Sequence, residues 1–182
     1  ERVDMLLEEK KFRDAFEVLY PLERRLTTWP NLAETGQKLL FLQATEQIKV
    51  GHRESAWLYL EELHDRKKNY PKLFATLGKV ADELITPAVN EEDYRRARHF
   101  LSRLREREPK HPVGVKWQDN LTSRAAAVIK ETLADTAAGR HDVASLKVDE
   151  AARIWPATPN LFDLHRSTTA RFQTLHVGVL QQ

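Results

Sequence analysis

Apolar residues recur along the chain at three- and four-residue spacing, in long runs separated by short polar breaks. That spacing keeps one side of an α-helix apolar, whereas a half-buried strand needs strict alternation. It predicts helices over 2–9, 12–27, 32–50, 53–68, 72–86, 92–107, 114–138, 141–154 and 160–171, hence an all-α fold. The breaks are short enough to force consecutive helices antiparallel. Gly51 and Gly139 fall in two of these turns, and Pro87 is expected to stop or kink the helix that carries it.

The punctuation repeats. Trp29-Pro30, Tyr70-Pro71, His111-Pro112 and Trp155-Pro156 each set a ring before a proline, and the prolines lie 41, 41 and 44 residues apart. Ala15, Ala56 and Ala97 again fall 41 apart, with Ala144 as a looser fourth. In this register the apolar positions superpose. One column holds Leu19, Leu60 and Leu101, and a second holds Leu22, Leu63 and Leu104. On the preceding helices the columns are Leu39, Val80 and Leu121, then Ala44, Ile85 and Ala126. Each unit is therefore a pair of helices ended by a ring-proline step, which the geometry before proline disfavours as helix. The units run from about 1–30, 31–71, 72–112 and 113–156, with a capping helix over 160–171. The rings Trp29, Tyr70 and Trp155 are expected to pack across the junctions between units.

Phe12-Arg13-Asp14-Ala15 and Tyr94-Arg95-Arg96-Ala97, with a weaker copy in His141-Asp142-Val143-Ala144, resemble the aromatic-x-x-alanine opening of the second helix in tetratricopeptide repeats. The period here is 41, longer than the roughly 34 of that family, and the family's tryptophan-leucine-glycine pattern is missing. The resemblance covers about residues 1–160. It implies a short superhelix whose first helices line a groove for a protein or peptide. If the apolar columns point inward, Lys38 and Phe41 on one first helix and Lys79 and Asp82 on the next are groove positions; otherwise they are ordinary solvated surface.

The stretch 172–180 departs from helical spacing, because Leu175, Val177 and Val179 alternate with His176, Gly178 and Leu180. It reads as a strand that opens a following domain over 172–182, since a lone strand leaves its backbone groups unpaired. Leu175-His176-Val177-Gly178-Val179 also resembles the opening strand of bacterial extracytoplasmic solute-binding proteins of transporters, which implies an amino-terminal helical domain of such a receptor.

Composition narrows the remaining choices. Lysine and arginine number 29 against 27 aspartates and glutamates, so a net charge of +2 is spread over a surface of both signs and argues against a general nucleic-acid binder. Without cysteine there is no disulfide, thiolate metal site or thiol nucleophile, and the compartment, extracytoplasmic or cytoplasmic, stays open. No apolar run is long enough for a membrane span. No glycine-rich phosphate loop, paired-histidine zinc helix or serine elbow occurs. The basic run from Arg95 to Arg107 is interleaved with acids, and Glu91 and Glu92 stand four residues before Arg95 and Arg96, as local helix pairs would. The sequence thus points to a non-catalytic interaction or scaffold module without cofactor or metal, binding protein or forming a homodimer. A regulatory domain of a signalling or transcription protein is the further alternative.

Overall fold

The computed structural model describes residues 2–25, 31–168 and 170. Its described residues form helices and no strand: α1 (Arg2–Glu8), α2 (Phe12–Arg25), α3 (Leu32–Lys49), α4 (Arg53–Arg66), α5 (Leu73–Asn90), α6 (Tyr94–Arg107), α7 (Pro112–Ala137), α8 (His141–Ile154) and α9 over 161–168. The chain is all-α. The strand expected within 172–182 and the ring-proline pair Trp29-Pro30 lie outside the described residues.

The helices α2, α4 and α6 are each 14 residues long and begin 41 residues apart, and α3 and α5 are each 18 long with the same offset. One turn recurs between paired helices. Lys10, Gly51, Glu92 and Gly139 all take a left-handed conformation two residues before α2, α4, α6 and α8 begin. The next backbone N–H then reaches back to close the preceding helix, as in Lys11 to Leu6, His52 to Gln47 and Arg140 to Asp135. Glycine meets this need at two of the four turns without a Cβ clash, while Lys10 and Glu92 carry the strain of an L side chain.

Each pair α1–α2, α3–α4, α5–α6 and α7–α8 packs on itself, and α2–α3, α4–α5 and α6–α7 join one pair to the next. One apolar core runs from α3 to α8, including Leu40, Leu60, Leu77, Ile85, Leu101 and Leu121. A smaller cluster of Leu7, Ala15, Leu19 and Leu39 serves the first pair, and Phe16 packs against both. The columns of Leu19, Leu60 and Leu101 and of Leu39, Val80 and Leu121 are all buried.

Two expectations change. Ala126 is exposed and Ala125 is buried in its place. On α5 the buried positions come as neighbours, 77 and 78, 80 and 81, 84 and 85, because α4, α6 and α7 cover it from several sides. On α7 they narrow to Gly114, Trp117, Leu121, Ala125, Thr132 and Asp135, a single stripe that Ala126 falls outside. Pro87 does not end its helix, since α5 continues to Asn90 and the N–H of Glu91 bonds to the Pro87 carbonyl. So near the end, the missing N–H removes only one rung.

The rings before proline pack as junctions. Tyr70 lies 5.3 Å from Phe41 between ring centres, and Trp155 packs on the main core. His111 is 4% exposed and starts α7 by accepting the Val113 N–H on Nδ1, so its other nitrogen carries the proton and donates to the Phe74 carbonyl at 3.1 Å. Its ring lies over Gly78, where an added Cβ would meet the ring carbon Cε1 at 2.1 Å.

Because both nitrogens of His111 are engaged, the ring has no free direction to move. Gly78→Ala is expected to lower stability by about 1–3 kcal/mol in urea denaturation, and an unchanged midpoint would show that the junction is loose. Glu92→Gly should raise stability by about 0.5–1 kcal/mol; a loss would mean that the left-handed turn is not strained there.

Candidate interaction surfaces

The four groove residues read from the sequence separate into two kinds. Lys38 and Lys79 are exposed one period apart on α3 and α5, with Lys79 3.9 Å from Glu83. Phe41 is half-buried against Tyr70 and the core. Asp82 accepts the Trp117 indole N–H at 2.6 Å and the Lys116 ammonium at 3.0 Å, which ties α5 to α7. The period itself flags Asp82, since it stands in the column of Phe41 and so breaks an apolar position. The same layer of first helices leaves Phe74 49% and Val115 45% exposed, again one period apart, beside Lys116.

The second helices meet along a polar seam whose ion pairs run between helices and not within one. Glu61 on α4, 3% exposed, is ion-paired with Arg103 and with Arg107 at 3.0 Å, both from α6. Arg107 also reaches Asp65 at 3.2 Å, and Arg96 reaches Glu54 at 2.9 Å. His64 meets Glu108 at 3.0 Å. Arg98 turns the other way and donates to the carbonyls of Arg153 and Ile154, closing the end of α8. Burial pulls the proton affinity of Arg98 below the ordinary guanidinium value.

Arg96 therefore pairs across the seam, and not with Glu92, whose residue is committed to the left-handed turn. Asp93 caps α6 by accepting the Arg96 N–H at 3.0 Å. Three arginines of α6 have no ion pair among the described residues: Arg98, which is held by backbone carbonyls, and Arg95 and Arg105. A simple signal for the seam lies in the sequence. Glu54 with Arg96, Glu61 with Arg103 and Asp65 with Arg107 each stand 42 apart, one more than the period.

A depression of about 690 Å³ between α2 and α3 has the buried Gln43 among its walls, but its rim carries three cations, Lys10, Lys11 and Arg13, against Asp14, Glu17 and Glu46. That balance selects no sign of ligand. Among the described residues no three histidines or carboxylates are placed to hold a metal ion, and no helix is long and apolar enough to cross a membrane. Comparison with protein-family models, with curated proteins and with solved structures finds no match to this chain.

Asp82→Ala removes the acceptor of two donors and is expected to cost about 1–3 kcal/mol of stability. Lys38→Ala, on open surface, should stay within about 0.5 kcal/mol of the parent in the same denaturation series. Equal effects of the two would remove the distinction drawn between them.

Proposed function

We propose that the chain is a non-catalytic protein-interaction or scaffold module of the tetratricopeptide kind, and that the open face of its first helices receives a segment of another protein. The observation that supports this reading is the pair of large apolar residues, Phe74 and Val115, left about half exposed at equivalent positions of α5 and α7. Lys79 and Lys116 stand exposed on the same two helices, and Lys38 is exposed on α3 one period before Lys79. Apolar side chains repeated at the unit spacing form a ridged surface suited to an extended or helical partner segment.

The test uses the intact chain immobilised beside a variant carrying Lys38→Ala, Phe74→Ser, Lys79→Ala and Val115→Ser. None of these residues is fully buried, so the helical signal in circular dichroism should be kept. A partner cross-linked to the parent within α3, α5 or α7, and lost from the variant, is the expected outcome. Capture that is the same for both proteins, or that cross-links elsewhere, would overturn the assignment of this face.

A further inference from the structure

The seam between α4 and α6 is closed by ion pairs over much of its length but opens at the amino-terminal end of α6 into a groove of about 500 Å³. Trp57 and Phe100 form its apolar lining, with ring centres 6.2 Å apart and an edge-to-face arrangement. Leu58 is 57% exposed at its edge, on the helix that also buries Trp57. Above this apolar surface stand Arg95 and His99, both exposed.

Three arginines, Arg95, Arg96 and Arg103, line the groove against two carboxylates, Glu54 and Asp93. Glu54 is taken by Arg96 and Arg103 by Glu61, while Asp93 accepts a backbone N–H of α6. Arg95 alone has no counter-charge among the described residues. The first turn of the 14-residue α6 adds the positive end of its dipole at the same place. One further group is unmet. Trp57 is 1% exposed, yet its indole N–H has no acceptor among the described residues, and a buried donor left unpaired is costly.

The unpaired guanidinium of Arg95 calls for a carboxylate, while Leu58, exposed beside the buried rings of Trp57 and Phe100, calls for an apolar body. We propose that this groove binds an acidic segment of a partner protein in which a carboxylate side chain stands next to a large aliphatic one. The carboxylate pairs with Arg95 and the aliphatic side chain covers Leu58. The site lies on the second helices, so it does not depend on the first-helix face assigned above.

The experiment is fluorescence anisotropy with the full chain and a short fluorescein-labelled peptide of alternating leucine and aspartate, at about 0.15 M salt. Saturable binding in the micromolar range is expected, at least tenfold weaker for the version with asparagine in place of aspartate and for the version with serine in place of leucine. Arg95→Glu and Leu58→Ser, both at exposed positions, should each weaken the parent peptide by at least tenfold with unchanged circular dichroism, whereas Lys38→Ala with Lys79→Ala should leave it unaltered. No binding at about 1 mM peptide, equal binding of the asparagine version, or indifference to Arg95→Glu and Leu58→Ser would overturn the proposal. So would loss of binding on changing Lys38 and Lys79 alone, which would move the peptide to the first-helix face.

Discussion

The helix α5 cannot be covered by one neighbour. Its buried positions fall in adjacent pairs from Leu77 to Val89, and these cover an arc wider than the stripe that a single packed helix can shield. It is shielded because α4, α6 and α7 all pack against it. Full burial of each large aliphatic side chain contributes roughly 1.5–3 kcal/mol, so the middle of the chain is held by contacts that no single helix pair supplies. Among the described residues the first pair packs in a smaller cluster that it shares with Leu39 of α3, and Phe16 links that cluster to the main core.

Apolar packing of this kind tolerates sliding, and the polar contacts fix the register. Glu61 is nearly excluded from water, and its desolvation is offset only if both arginines of α6 keep their places. A slip of one residue between α4 and α6 would separate Glu61 from Arg103, Glu54 from Arg96 and Asp65 from Arg107 together. The α7–α8 pair has a separate clasp, in which Asp135 is held by Arg140 at 2.5 Å and Lys147 at 3.0 Å. Arg140 first, then Lys147, keeps the Asp135 carboxyl below its usual value of 3.8. A lowered folded-state value means that this contribution is complete above the ordinary aspartate range and is lost as pH falls through the lower folded value.

Much of this fold is legible in the sequence because one backbone pattern is used three times. Periodicity and the ring-proline steps give the helices to within a few residues, and they identify the buried columns of Leu60 and Val80 correctly. What periodicity cannot give is where a helix lacks a neighbour, and Ala126 is exposed for that reason. It also treats every charge as local. Arg96 reads as the partner of Glu92, four residues away, until the left-handed turn at Glu92 removes that residue from the helix. Asp82 reads as groove surface because its two donors, Lys116 and Trp117, lie more than 30 residues away on α7.

The offset of 42 between seam partners explains why similar units present unlike surfaces. Applied one unit earlier, it sets Arg13 opposite Ser55, Glu17 opposite Tyr59 and Tyr20 opposite Glu62, none of them an ion pair. The join between α2 and α4 is accordingly bridged by Arg66 and Glu23, 2.9 Å apart near the far ends of these helices. With the backbone period unchanged, a few substitutions along one helix decide whether a seam is sealed by charge or left open. At that offset Arg95 stands opposite Arg53, a like charge, and Leu58 opposite the buried Phe100, so neither has an ion-pair partner across the seam. Side chains left without an opposite charge at the 42-residue offset are found by locating the seam first and the surface afterwards.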